Sequence, residues 1–172
     1  MNVTLLRMSE WYLVYCKARQ EETAARGLEE QGYAVYLPKL KTRRRRSQGM
    51  VEIVEPLFPR YLFVSVRDNE QSLSPVRNTA GVSKLVRFSV EYVPVPQGMI
   101  EALQAHEDPE TGFHRLTAPN LKKGDRVRIQ AGAFAGIEGV FEALAGRDRV
   151  IVLFELLGQP ARTEIAIEEH EQ

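Results

Sequence analysis

The sequence predicts an α+β fold: one antiparallel sheet with helices packed against it, then a linker and a second, small domain. Apolar, β-branched and aromatic runs at 11–16, 33–40, 60–66 and 82–88 alternate with helical composition at 18–31 and 97–105, in the order β-α-β-β-β-β-α. A polar stretch at 106–119 carries Pro109, Gly112 and Pro119, which punctuate a linker. The chain has 172 residues, enough for one ordinary domain or two small ones. The expected boundaries are 9–105, 106–119 and 120–170.

Each element has a local reason. Residues 11–16 (WYLVYC) are aromatic and β-branched, a buried strand. Residues 18–31 (ARQEETAARGLEEQ) are rich in Ala, Glu, Gln and Arg, and Gly32 suits a helix C-cap. Residues 33–40 return to strand character. Residues 41–50 (KTRRRRSQGM) read as a basic hairpin tip, with the returning strand at 51–54. Pro56 and Pro59 bracket Leu57 and Phe58 in a rigid loop, and 60–66 (RYLFVSV) is the next strand. Loop and a short helix follow at 69–78, then a strand at 82–88. In the helix at 97–105, Ile100 and Leu103 lie one turn apart on one face.

The second domain has two readings. In 121–144, Val127 and Ile129 alternate with charges, and Gly132, Gly136 and Gly139 suit turns and bulges; Val150 to Leu157 is a second apolar run. A small β-barrel accommodates all of this. Ile137, Phe141 and Leu144 also have helical spacing, with Ala133, Ala135, Ala143 and Ala145 in support, so periodicity leaves the choice open.

Charge limits the partners. Lys plus Arg number 23 and Asp plus Glu number 23, so any nucleic-acid contact must be local. Residues 1–104 hold 15 basic and 11 acidic residues; the remainder is net −4. Cys16 is the only cysteine, which rules out an internal disulfide and a zinc site of several thiolates. The opening MNVTLLRM is too short and broken for a signal peptide, and no apolar run approaches the roughly 18 residues of a membrane span. The expectation is a cytoplasmic, monomeric protein.

Chemistry is sparse. His106, His114 and His170 fall in the linker and tail, outside any nucleophile motif. No phosphate-cradling glycine loop and no HExxH spacing occurs. Cys16 inside an apolar strand reads as an inert core thiol. No catalytic residue, metal or cofactor is expected. Arg43, Arg44, Arg45 and Arg46 are either a solvated hairpin tip or a finger on phosphate. In EPLFPRYLFV (55–64), Tyr61 and Phe63 lie on one strand face and Leu62 and Val64 on the other. Both faces are core, or the aromatic one docks a partner.

WYLVYCK at 11–17, EPLFPRYLFV at 55–64, NTAGVSKLVRF at 78–88 and GDRVRIQAGAFAGIEGVF at 124–141 together resemble the NusG family of transcription elongation factors, and within it the specialised RfaH branch. The last segment resembles a KOW motif, the first three an NGN domain. The resemblance spans nearly the whole chain, in order.

The resemblance implies that the NGN domain binds the clamp helices of bacterial RNA polymerase through Tyr15, Tyr61, Phe63, Phe88, Ile100 and Leu103. This holds the clamp closed and suppresses pausing and termination. It implies that a basic face reads exposed non-template single-stranded DNA, with Lys17, Gln20 and Gln31 at matching positions. In the RfaH branch the KOW domain folds as a helical hairpin on the NGN domain, then refolds into a β-barrel and recruits the ribosome through a small-subunit protein. Glu55 and Arg149 match the interdomain ion pair that holds that closed state.

Departures are visible. Ser72, Leu73 and Ser74 stand where RfaH has a polar His-Thr-Thr run making a second polymerase contact. Ala80 and Gly27 replace an Arg and a His used on DNA, so the DNA element is expected to differ, with Arg77 as a substitute. Gly139 replaces an Ala, which tilts the second domain toward β. Two rivals follow from the same residues: a general NusG-type factor without sequence-specific recruitment, and a KOW-type RNA- or ribosome-binding protein. The acidic second half argues against the latter.

Overall fold

A computed structural model describes residues 9–67, 71–87, 90–92, 94–96, 98–115, 126–128, 138–140 and 146–158. The elements are β1 (Ser9–Cys16), α1 (Glu21–Glu30), β2 (Ala34–Tyr36), β3 (Lys39–Arg46), β4 (Gly49–Pro56), β5 (Tyr61–Arg67), a 3-10 turn (Ser74–Asn78), β6 (Val82–Leu85), α2 (Met99–Ala105), β7 (Arg126–Arg128), β8 (Glu138–Val140) and α3 (Gly146–Leu156). They fall into two compact units, Met1–Leu37 with Arg60–Val95, and Pro38–Pro59 with Pro96–Gln172.

The first unit is a four-stranded sheet in the order β2-β5-β1-β6. β1 and β5 run antiparallel, with Val14 opposite Leu62 and Tyr12 opposite Val64. Side chains alternate along a strand, so these residues share one face. α1 covers that face. Its Ala24, Ala25 and Leu28 form a buried stripe against Val14, Leu62, Val64, Val76, Val82 and Leu85. Small alanines let the helix approach closely, and Leu28 contributes about 1.5–3 kcal/mol of apolar burial.

α1 begins at Glu21 rather than at residue 18, because Arg19 adopts a left-handed φ of 60° that no α-helix continues. Gly81 (φ 85°) lies close under the start of α1: a Cβ there would stand 2.8 Å from both the Ala24 nitrogen and the Gln20 oxygen. The strand expected over 33–40 is two strands separated by Leu37 and Pro38, and β6 stops at Leu85.

The second unit contains the β3–β4 hairpin. The four arginines do not form its tip; they lie within β3, paired residue for residue with Gly49, Met50, Val51 and Glu52, and the turn is only Ser47 and Gln48. Alternation sends neighbouring guanidiniums to opposite faces, so their repulsion does not interrupt the ladder. At the hairpin base, His114 bridges to Leu40. The His114 nitrogen donates to the Lys39 oxygen, and its oxygen accepts from the Lys41 nitrogen. Part of the stretch expected to be a linker is therefore tied to β3. Leu40, Leu57, Phe58 and Leu103 are buried in this unit.

Residues 126–128 and 138–140 form a short antiparallel pair. Residues 150–156, assigned to a strand in the barrel reading, are helical as part of α3. Leu153 and Phe154, neighbours in sequence, are both buried. The rest of the region expected to be the second domain, Gly136 included, lies outside the described residues.

Candidate functional site

The sheet face away from α1 is aromatic. Tyr15 stands opposite Tyr61, Leu13 opposite Phe63, and Tyr36 opposite Phe63. The Tyr15 and Tyr61 ring centroids are 5.1 Å apart and tilted. Those of Tyr36 and Phe63 are 6.1 Å apart and stacked. Such pairs add about 0.5–1.5 kcal/mol beyond their area. Tyr15, Tyr61 and Phe63 are only 3%, 1% and 0% exposed, so the rings offer a partner no free surface as they stand.

Arg60 organises the Tyr15 end of this face, a role the sequence did not signal. It takes a left-handed φ of 69°. Its backbone nitrogen donates to the buried Glu21 carboxylate at 2.9 Å, and its Nε donates to the Cys16 carbonyl at 3.0 Å. Its guanidinium then lies 4.2 Å from the Tyr15 ring centroid, and the Lys84 ammonium 5.4 Å from the same centroid. The signal available in sequence was a lone arginine after Pro59, indistinguishable from a surface charge. Cys16 itself is fully buried, and burial with the nearby Glu21 charge pushes its thiol up to about 12 against a smaller opposing effect of Arg60. It is an inert core thiol.

Ile100 and Leu103 are buried on α2, in the other unit. Phe88 lies outside the described residues.

Among the expected DNA contacts, Lys17 and Gln20 are exposed just before α1, and Arg77 is exposed at the end of the 3-10 turn. Gln31 is exposed, and its side-chain amide is engaged on the protein: it donates to the Gly27 carbonyl at 2.9 Å and to the Thr79 hydroxyl at 2.8 Å. Gly27 itself faces the protein, since a Cβ there would meet the Thr79 methyl at 2.8 Å. In the expected second polymerase contact, Ser72 and Ser74 are exposed, while Leu73 packs against the α1-side core.

Arg43, Arg45 and Arg46 are exposed on the hairpin. Arg44 is drawn back to Glu55, Nη2 to Oε2 at 2.8 Å. The other oxygen of Glu55 accepts from Nη2 of Arg149 at 3.0 Å. Arg149, 3% exposed, also donates to the Leu57 and Pro56 carbonyls. The two residues expected to form an ion pair are therefore together, although 94 positions apart in sequence. Among the described residues there is no cluster of His, Cys, Asp or Glu able to hold a metal, and no helix long and apolar enough to cross a membrane.

Comparison with known proteins finds relatives of this chain. The family profile described as "Transcription termination factor nusG" matches residues 9–104. The transcription termination/antitermination protein NusG of Deinococcus radiodurans is 28% identical, over 91% of this chain and 95% of its own length. The protein of the same name from Staphylococcus epidermidis is 26% identical, over 94% of each chain. A solved structure, "Domain interaction in Thermotoga maritima NusG", shares 21% identity over 77% of this chain and 78% of that one, at a TM-score of 0.44, too distant to bear on function. With more than half of its length matched by the profile, the chain belongs to the NusG family of transcription elongation and antitermination factors.

Proposed function

We propose that this chain is a general NusG-type elongation factor that docks on bacterial RNA polymerase through the aromatic sheet face, Tyr15, Tyr61 and Phe63, with Phe88, Ile100 and Leu103 completing the contact. It acts in the cytoplasm without catalysis, cofactor or metal. Docking keeps the clamp closed and lowers pausing and termination. The carrying observation is the register: α1 already supplies a core on one face, and the opposite face gathers two aromatic pairs beside Arg60 and Lys84. Aromatic anchors with adjacent cations are characteristic of protein interfaces.

The test is a polymerase pull-down with Tyr61→Leu and Phe63→Leu combined. Leucine keeps apolar volume where alanine would leave a cavity worth about 3–5 kcal/mol. With circular dichroism unchanged, binding should fall at least tenfold. Wild-type binding would remove the aromatic face from the proposal.

A second reading is favoured by one observation, the buried Arg149 on Glu55 with helical structure at 146–156. In it the chain is an RfaH-type factor. The Glu55–Arg149 pair holds a resting state, and non-template DNA is read by Lys17, Gln20, Gln31 and Arg77 with help from Arg43 to Arg46. Ser72, Leu73 and Ser74 supply a second polymerase contact, and the released KOW domain meets a small-subunit ribosomal protein. Recruitment to a panel of pause sequences separates the readings: uniform recruitment favours the general factor, and one preferred element the specialised one. Under the second reading Glu55→Ser raises polymerase binding without any DNA signal.

A further inference from the structure

We infer that Lys84 is a specificity-determining residue of the aromatic face: the protein segment that docks there presents a carboxylate to the Lys84 ammonium. This rests on the docking reading above and names the chemistry that reading requires of the partner.

The register places Lys84 in the row that carries the docking rings. Tyr15 on β1 stands opposite Tyr61 on β5 and, on its other side, opposite Lys84 on β6. Directly opposed residues share a face, so one row runs Lys84, Tyr15, Tyr61 across three strands. An irregularity in the pairing of β1 with β6 makes this possible. Cys16 is opposite Val82, in the α1-side core, while its neighbour Tyr15 is opposite Lys84. Ser83 is left without an opposed residue in that ladder, so Val82 and Lys84, two apart in sequence, point to opposite faces. A bulge of this kind re-aims a side chain.

Nothing on the face neutralises this charge. The other charged strand residue there is Arg67, also a cation, at the far end of β5 and about 20 Å from Tyr61 at about 3.3 Å per residue. Arg60, which precedes β5, is already held: its Nε donates to the Cys16 carbonyl at 3.0 Å, and its guanidinium lies over Tyr15 at 4.2 Å. Lys84 is half-buried and makes no ion pair among the described residues. Its ammonium is 5.4 Å from the Tyr15 centroid, near the outer limit of about 6 Å for a cation over a ring, so the ring is a weak counterpart.

Docking turns that into a requirement. A half-buried ammonium keeps part of its hydration. A partner that covers the Tyr15–Tyr61 row strips this water away, and a buried charge without a counter-charge is costly. A segment with a carboxylate at that point forms an ion pair instead, and an apolar segment without one is rejected. Discrimination comes as much from the penalty as from the pair. A nucleic-acid backbone fits less well. It needs repeated cations along its track, and beyond Lys84 the face continues as Leu13, Phe63 and Tyr36.

The test measures binding of the full chain to RNA polymerase core enzyme, free of nucleic acid, at low and at high salt. Lys84→Met keeps the apolar stem beside Tyr15 and removes only the charge. It should bind about tenfold more weakly at low salt, with a smaller deficit at high salt, where the wild-type pair is screened. Lys84→Arg should bind like the wild type, and Lys84→Glu more weakly than Lys84→Met, because it opposes two carboxylates. Circular dichroism should be unchanged in all three. Wild-type binding by Lys84→Met overturns the inference. An equal deficit at both salts also overturns it, by making Lys84 a packing residue. The docking reading fails separately: wild-type binding by the combined Tyr61→Leu and Phe63→Leu variant removes the face itself. Loss in that variant without loss in Lys84→Met keeps the face and removes the carboxylate. Single-stranded DNA binding that falls in Lys84→Met, while polymerase binding does not, reassigns Lys84 to nucleic acid.

Discussion

Arg149 reaches Glu55 with Nη2 3.0 Å from Oε1, and it also donates to the carbonyls of Leu57 and Pro56. The arginine is almost wholly buried, and Glu55 is a carboxylate partner of it. Removing one partner of a buried pair costs about 3–5 kcal/mol, and here the retained backbone acceptors and the partly exposed Glu55 reduce that to the lower end or below. Glu55→Ala should therefore loosen α3. Backbone chemical shifts of 146–156 should lose helical character while those of β1 and β5 stay unchanged. A double-mutant cycle with Arg149→Met should return a coupling of about 0.5–3 kcal/mol. Helical shifts retained in Glu55→Ala would leave the pair without a structural role.

Arg60→Ala should destabilise the first unit by about 1–3 kcal/mol. It removes the hydrogen bond to the Cys16 carbonyl and the cation over Tyr15. Arg60→Gly should be milder, because glycine accepts the left-handed φ of 69° without strain. Urea unfolding followed by tyrosine fluorescence reads the difference. Glycine proving worse than alanine would show that backbone strain is not released there.

Cys16 should resist thiol reagents in the native state. Its thiol is pushed up to about 12, so almost no thiolate exists near pH 8, and the side chain is fully buried. Reaction with a disulfide reagent should proceed only in step with urea unfolding. Prompt labelling of the folded protein would contradict the burial.

His114 makes the hairpin base acid-sensitive. Burial pushes its pKa below the ordinary value of 6.5; Glu107 acts against this, and nearby His106 acts with it. The fold thus favours the neutral ring. The stabilisation is fully present above the unfolded value and is lost as pH falls through the lower folded value. Amide exchange at Lys41, whose nitrogen donates to the His114 carbonyl, should speed up on acidification after correction for intrinsic rates. His114→Gln should flatten that dependence. An equally steep dependence in the variant would place the responsible group elsewhere.

Much of the first unit was legible because its signals are local. β1 and β5 read as apolar runs with the α1-side face already marked by Leu62 and Val64, and α1 read as an alanine-rich helix. Its start was missed because a left-handed Arg19 has no signature in composition. The arginine run was placed at a hairpin tip because charge density suggests a turn. Ladder pairing with 49–52 extended β3 through all four arginines instead. The apolar run at 150–157 suits either structure, which left strand and helix open, and α3 makes it helical as far as Leu156.

The sequence by itself determined the strand-and-helix order of the first unit, its membership of the NusG family, the inert cysteine and the identity of the aromatic residues on one strand face. These follow from alternation, propensity and motif, which act over a few residues. Only the tertiary structure decided that Tyr15, Tyr61 and Phe63 are buried, that Arg60 organises Tyr15 and that the exposed Gln31 is tied to Thr79. It alone joined Glu55 to Arg44, beside the pairing with Arg149 that the family resemblance had led one to expect. Burial and pairing depend on what residues far apart in sequence bring to the same place, and no local pattern encodes that.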